Sequence, residues 1–181
     1  MRVFAYTFAS HARVMQQVAG VRPHLCPPWR TNTLVTYKFS NRDLLFFTFH
    51  GLPNQPYWYS DTWETALSIE DVRHSNCKGA VVFSGSCFTI ESGFCHAFFD
   101  AGAQAVIAGP GRNYFIPQRK AGGFDRLGYY FRIIYSIHRD IQLALDLARI
   151  RFKMQKPTKI TKDVLDFDIY TPTRNRYSCQ P

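Results

Sequence analysis

The chain has 181 residues, of which 46% are hydrophobic and 19% charged, and it carries a net charge of +9. This composition allows one packed domain without disulfide staples or a structural metal, and it excludes extensive disorder. No apolar run approaches the roughly 20 residues that a membrane-spanning helix needs, and the first residues turn polar too soon for a signal peptide. The five cysteines are irregularly spaced, which favours free thiols. We therefore expect a cytoplasmic protein that does not associate with membranes.

The excess of 22 basic over 13 acidic residues raises the question of an acidic partner. The basic residues cluster at 112–120 and 149–162, without the interleaved aromatic motif that is typical of RNA-binding domains. We expect no specific nucleic-acid partner. Binding of nucleic acid through the basic C-terminal helix and tail stays a minor alternative.

The first 40 residues predict a strand, a helix and a second strand. Aromatic and β-branched residues at 2–8 favour a strand. Ser10 is suited to cap the following helix, and Gly20 is suited to end it. A proline-rich loop follows at 21–30, and the partly alternating residues 33–39 predict an edge strand.

Two apolar runs, at 44–49 and 80–83, lack the alternation of a half-exposed strand. Such runs are typical of strands that are buried on both faces of a parallel sheet. A long polar and aromatic loop after Gly51 and a short helix at 67–73 separate the two runs, and Ser68 is suited to cap that helix.

A β-α-β unit is predicted after the second run. Residues 92–101 favour a crossover helix, and residues 103–108 favour another buried strand, so the crossover should be right-handed. A long loop rich in glycine and proline follows at 109–123. Loops of this length in compact domains commonly carry function.

The rest of the chain predicts two covering helices and an edge strand. Apolar residues recur at helical spacing through 124–134 and again through 141–152. Residues 164–170 predict a last edge strand. We therefore expect a single domain at 1–153 and a basic C-terminal extension at 154–181.

Cys87 and His50 each follow one of the two apolar runs, and each adjoins small residues. Ligands of an open parallel sheet bind beyond the carboxyl ends of its strands, so both side chains should face one crevice. A thiol attacks as its thiolate, and a neighbouring imidazole can take its proton and protonate a leaving amine. Cys87 is therefore a candidate nucleophile and His50 a candidate acid/base. The backbone N–H groups of Gly51 and Cys87 are candidate oxyanion donors.

Other interpretations of these residues are weighed against this one. A single cysteine after a strand is more often an inert buried thiol, so only the matched pair favours catalysis. The group Cys77, Cys87, Cys95 and His96 lacks the paired Cys-x-x-Cys spacing of structural zinc, and we expect no metal. No glycine-rich phosphate-binding motif opens a helix after a strand.

The order of these motifs resembles the CHAT domain, a member of the caspase-like cysteine peptidases. The resemblance is carried by Phe49-His-Gly51, by Val81-Val-Phe-Ser-Gly-Ser-Cys87 and by Ala97-Phe-Phe-Asp-Ala-Gly-Ala103. It implies an α/β fold of the caspase-like type, a three-layer sandwich with a mostly parallel central sheet flanked by helices. It also implies a cysteine endopeptidase whose His50/Cys87 dyad forms a covalent thioacyl intermediate. No metal or organic cofactor is implied, and the implied partners are a protein or peptide substrate and a regulatory protein.

Departures from the family pattern leave the substrate pocket and the activity open. The cysteine lies in Ser84-Gly-Ser-Cys rather than Ser-Ala-Cys, and Gly109–Asn113 replaces the tryptophan that commonly follows the next strand. The alternative function is a non-catalytic adaptor or regulatory module of caspase fold. Peptidases of this type select the residue before the cut through a charged pocket. Candidate pocket residues are Asp61, Glu91 and Asp125, which would select a basic residue, and Arg112, which would select an acidic one.

Overall fold

A central six-stranded sheet organises the fold. The computed structural model describes residues 1–30, 36–113, 123–154 and 164–173. The strands are β1 Val3–Phe8, β2 His24–Cys26, β3 Leu44–Thr48, β4 His50–Gly51, β5 Tyr57–Tyr59, β6 Thr65–Ser68, β7 Val81–Ser84, β8 Ala105–Ala108 and β9 Asp168–Tyr170. The helices are α1 Ala12–Ala19, α2 Ile69–Arg73, α3 Phe94–Asp100, α4 Gly123–His138 and α5 Ile141–Lys153, with 3₁₀ turns at Ala9–His11 and Thr36–Phe39.

The order of strands in the central sheet is β2-β1-β3-β7-β8-β9. All neighbours are parallel except β8 and β9, which are antiparallel. The strands β3 and β7 are direct neighbours, with Phe47 opposite Ser84 at their carboxyl ends. The segments that follow these two strands therefore begin at the same edge of the sheet.

The sheet is covered by side chains on both faces, which explains the apolar runs. Every residue of β3, β7 and β8 is buried. One face packs against α2, α3 and the aromatic residues of β5, and the other packs against α1, α4 and α5. These layers confirm the expected three-layer α/β sandwich with a mostly parallel central sheet.

A second sheet lies where the sequence predicted a loop. Strands β4, β5 and β6 form a small antiparallel sheet of two to four residues per strand. Trp58 of β5 is fully buried and stacks on Phe94 of α3 with ring centroids 3.9 Å apart. Strands this short, set among prolines, leave no readable alternation in the sequence.

Three local predictions near the N-terminus were wrong. The proline-rich segment contains the short parallel strand β2, and residues 36–39 form a 3₁₀ turn instead of a strand; residues 33–35 lie outside the described residues. Ser10 does not cap α1, because a 3₁₀ turn precedes the helix and no side chain caps it. Gly20 does end the helix, in the left-handed conformation.

The C-terminal half agrees with its predicted elements. The two covering helices are α4 and α5, which together bury residues such as Leu127, Phe131 and Leu145 against the sheet. The edge strand predicted at 164–170 is confirmed only for β9, because residues 164–166 form a helical turn. Among the described residues, no helix combines the length and the apolar character needed to cross a bilayer.

Helix α2 begins with a reciprocal capping box. The Asp71 N–H donates to Ser68 Oγ at 3.0 Å, and the Ser68 N–H donates to Asp71 Oδ2 at 2.8 Å. We expect Ser68→Ala to lower the free energy of unfolding by about 1 kcal/mol, because the Asp71 N–H loses its acceptor and the Asp71 carboxylate loses the hydroxyl donor. Urea denaturation measures the change. Ser136→Ala, on the exposed side of α4, is the control and should change stability by less than about 0.5 kcal/mol. Equal effects of the two substitutions would contradict the capping role.

Candidate active site

The segments that carry His50 and Cys87 are tied together at the sheet edge. The Phe49 N–H donates to Ser86 Oγ at 3.0 Å, and the Gly85 N–H donates to the Phe47 carbonyl at 2.8 Å. Because β3 and β7 are neighbours, these bonds continue their pairing beyond the last sheet residues. The predicted proximity of the two segments is therefore present in the structure.

Glycine at position 51 allows the two backbones to touch. A Cβ at Gly51 would lie 2.0 Å from the carbonyl oxygen of Cys87. A similar restriction acts at Gly85, where a Cβ would lie 2.0 Å from the Phe124 ring of α4. A Cβ at position 85 therefore does not fit unless the Phe124 ring moves.

The Cys87 thiol lies among backbone N–H groups. Its Sγ accepts from the Asn113 N–H at 3.3 Å and donates to the Asn113 carbonyl at 3.4 Å. Burial raises the pKa of the Cys87 thiol, and the N–H groups of Asn113, Gly51 and Cys87 itself, with the charge of Arg112, oppose that rise. Two of these donors, Gly51 and Cys87, are the predicted oxyanion donors. These N–H groups favour a negative charge on the sulfur, against the larger effect of burial.

The loop after β8 holds the cysteine segment from the other side. Asn113 Nδ2 donates to the Ser86 carbonyl at 2.8 Å, and the Phe88 N–H donates to the Gly111 carbonyl at 2.7 Å. Phe88 itself has φ of 53°, a left-handed conformation that is rare for a bulky residue. Strained backbone conformations of this kind are concentrated at functional sites, where the surrounding structure holds them in place.

His50 is half-buried between two aromatic rings. It stacks on Phe8 with ring centroids 5.1 Å apart and an interplanar angle of 8°, and on Trp63 at 5.7 Å and 25°. Burial lowers the pKa of His50, and the Asp61 carboxylate opposes that change. Within the described residues no hydrogen bond joins His50 to Cys87. Catalytic contacts of this kind are often long before substrate binds.

Three of the four candidate pocket residues lie near these groups, and one does not. Asp61 is exposed in the turn between β5 and β6, on the His50 side. Arg112 is exposed and its charge acts on Cys87. Glu91 is exposed, with Oε1 4.0 Å from the place of a Cβ on Gly111.

Asp125 occupies a different environment from the one expected. Its carboxylate is 1% exposed and lies 2.9 Å from Nε2 of His11, which is 2% exposed. Burial raises the pKa of Asp125, and the His11 contact opposes the rise. A carboxylate enclosed in this way is not accessible to a substrate side chain, so Asp125 does not fit a pocket role.

The other described cysteines contrast with Cys87. Cys26, Cys77 and Cys95 are buried thiols outside any disulfide, whereas Cys87 is partly exposed. Burial raises the pKa of Cys77 to about 11. In the part of the chain that the structure describes, no three His, Cys, Asp or Glu side chains gather to hold a metal ion.

Sequence reasoning missed three residues of the site: Phe8, Trp63 and Asn113. The strand pattern at 2–8 predicted where Phe8 lies but not that its ring would meet His50. Asn113 was included only within a long loop. The turn that brings Trp63 to His50 had no sequence signal beyond its polar and aromatic composition.

Comparison with solved structures supports a caspase-like fold. The sequence matches no protein-family model, and no curated protein is significantly similar to it. Among solved structures, the chain is similar to the Arg-specific cysteine proteinase gingipain R (RGPB), with a TM-score of 0.64 at 13% identity. It is also similar to a structure described as a protease, with a TM-score of 0.61 at 13% identity. Each match covers 94% of this chain, which spans 46% of either neighbour.

The contact between Gly51 and Cys87 generates a direct test. Gly51→Ala should lower the free energy of unfolding by about 3 kcal/mol, because the new Cβ overlaps a backbone oxygen that has no rotamer to change. Chemical denaturation measures the loss. Gly79→Ala is the control: its Cβ would meet nothing, and its φ of 73° costs about 1 kcal/mol. A Gly51→Ala variant no less stable than the control would disprove the close approach.

Proposed function

We propose that this protein is a cysteine peptidase that cleaves protein or peptide substrates through His50 and Cys87. The observation that carries the proposal is the set of backbone N–H groups, from Gly51, Cys87 and Asn113, around a partly exposed thiol at the end of β7. The caspase-like fold supports it, and the motif order resembles the CHAT branch of that clan. The free cysteines favour a reducing compartment, so cytoplasmic action is part of the proposal.

The directions of the two pKa changes suggest how the reaction begins. Burial raises the pKa of Cys87 and lowers the pKa of His50, so both groups rest neutral near pH 7. His50 therefore takes the thiol proton as Sγ attacks the carbonyl carbon of the scissile bond. The carbonyl oxygen gains the negative charge and accepts hydrogen bonds from the Gly51 and Cys87 N–H groups.

The later steps return both side chains to their starting state. The imidazolium of His50 gives its proton to the amine as the C–N bond breaks, leaving a thioester on Cys87. His50 then removes a proton from water, which attacks the thioester. The C–S bond breaks, the carboxylic acid product leaves, and the proton returns from His50 to the sulfur.

Removal of either dyad member should abolish cleavage. We expect Cys87→Ala to lower peptide cleavage by at least about 1,000-fold, because the covalent step is lost. His50→Ala should lower it to a similar degree, whereas His74→Ala, at the exposed end of α2, should retain activity. Cleavage of a peptide library by folded variants, checked by circular dichroism, measures the effect. Undiminished cleavage by Cys87→Ala would overturn the proposal.

A non-catalytic adaptor or regulatory module is the alternative function. It is favoured by the engagement of the Cys87 thiol with the Asn113 backbone and by the lack of a hydrogen bond between His50 and Cys87. The rate of alkylation by iodoacetamide at neutral pH separates the two functions. If His50 acts as a general base on Cys87, alkylation should be slower in His50→Ala than in the wild type. In a non-catalytic module the two proteins should react at equal rates.

Arg112 is the basis for a proposal on substrate preference. Its guanidinium is exposed, and it is the charged group that acts on the Cys87 thiol. It forms no ion pair with any carboxylate among the described residues, so it can pair with a substrate. We therefore propose that the residue before the cut is acidic, with Glu91 on the same side limiting the preference.

Charge reversal at Arg112 tests this preference. Arg112→Glu should lower kcat/KM for peptides with an acidic residue before the cut by about 10- to 100-fold, because attraction becomes repulsion. The same variant should improve cleavage after lysine or arginine. Arg22→Glu, an exposed charge outside the site, is the control. A wild-type preference for basic residues would contradict the proposal.

A further inference from the structure

The turn between β5 and β6 contacts the ring of His50. We name residues Ser60–Glu64 the histidine turn. Its Trp63 is 61% exposed, yet the indole stacks on the imidazole, which also stacks on Phe8. Phe8, at the end of β1, is 1% exposed and therefore held in the core. The imidazole plane is therefore set by one core residue and one residue of the turn.

The histidine turn is internally ordered. Ser60 Oγ accepts from the N–H groups of Thr62 and Glu64, each at 3.2 Å. The Trp63 N–H donates to the Ser60 carbonyl at 3.0 Å, and the Ser60 N–H donates to the Glu64 carbonyl at 2.9 Å. These bonds hold the positions of the side chains that the turn presents.

Trp63 has an unfavourable backbone conformation. Its φ is 60°, in the left-handed region that bulky residues rarely adopt. Glycine or asparagine would relieve the strain, yet a large aromatic residue stands here against His50. Strained residues of this kind cluster at functional sites, where the strain serves to fix a geometry.

Asp61 lies in the same turn, two residues after Tyr59, the strand partner of His50, and two residues before Trp63. Its Oδ2 accepts from the Ser10 N–H at 3.3 Å, which ties the histidine turn to the segment that follows Phe8. Its negative charge favours the protonated form of His50. Among the described residues, Asp61 is the charged group that acts on His50. The other faces of the ring are covered by Phe8 and Trp63, and Tyr59 is the strand partner of His50.

We propose that Asp61 and Trp63 are positioning residues for His50: Asp61 stabilises the imidazolium that forms when the thiol proton arrives, and Trp63 fixes the plane of the ring. This inference rests on the proposed peptidase function and assigns Asp61 a role on the histidine instead of in a substrate pocket. The carboxylate accepts no proton in this scheme. The proton moves from Sγ to His50 and then to the leaving amine.

The titration of His50, followed by proton NMR, tests the effect of Asp61 on the imidazole without any substrate. The His50 signal is assigned by its loss in His50→Ala, which is needed because the chain has six histidines. Asp61→Asn should lower the pKa of His50, because the one opposing charge is removed while burial stays. Glu64→Gln removes a charge from the same turn, where Glu64 pairs with Arg30, and should leave the titration unchanged. An unchanged pKa in Asp61→Asn, or an equal change in both variants, would overturn the inference.

Kinetics test the positioning role. Asp61→Asn should lower kcat by about tenfold or more with little change in KM, and should move the acidic limb of the pH profile to lower pH. Asp61→Glu should restore part of the rate. Trp63→Phe should keep most of kcat and Trp63→Ala should lose it, since only the former retains a ring to stack. A kcat that is equal in wild type and Asp61→Asn would overturn the inference. If the wild-type protein cleaves no peptide, the proposed function fails, while the NMR titration still decides whether Asp61 acts on His50.

Discussion

The parallel pairing of β3 with β7 is the constraint on which the site depends. Neighbouring parallel strands end at the same edge of the sheet, so the residues that follow the two strands lie close together. Here the pairing ends at Phe47 and Ser84, and short hydrogen bonds extend it through Gly85 and Ser86. Both strands are buried on both faces, so their register is set by the close packing of side chains and not by alternating exposure. A slip by one residue would turn each side chain to the opposite face.

Close packing of small residues then sets the finer geometry. Gly51 touches the Cys87 carbonyl, and Gly85 lies under the Phe124 ring at the start of α4. The first contact joins the two candidate catalytic segments, and the second joins the cysteine segment to the covering helix. Neither tolerates a Cβ without movement of its neighbour. The site is therefore stabilised by the packing of three elements instead of by a separate local motif.

Much of the fold could be predicted from the sequence, because the burial of apolar side chains leaves clear patterns of hydrophobic residues. The runs at 44–49 and 80–83 predicted β3 and β7, and helical spacing predicted α4 and α5. The histidine turn could not be predicted. The strands β5 and β6 that flank it are too short to show periodicity, and its conformation is held by hydrogen bonds to Ser60. Asp125 shows the opposite failure. Its position suggested a pocket residue, but its pairing with His11 depends on how the 3₁₀ turn before α1 packs on α4, which the sequence does not reveal.

The charge distribution around the two candidate catalytic groups is consistent with general-base catalysis instead of a resting ion pair. A thiolate-imidazolium pair needs a thiol whose pKa falls below that of its histidine, and burial moves these two groups the other way. In the proposed mechanism, charge is therefore created only as the bond forms, on the carbonyl oxygen and on His50. The N–H groups of Gly51 and Cys87, which act on the Cys87 sulfur in the resting protein, are the proposed donors to the first charge, and Asp61 acts on the group that would carry the second. Groups that are held in place before the reaction need little reorganisation when such charges appear.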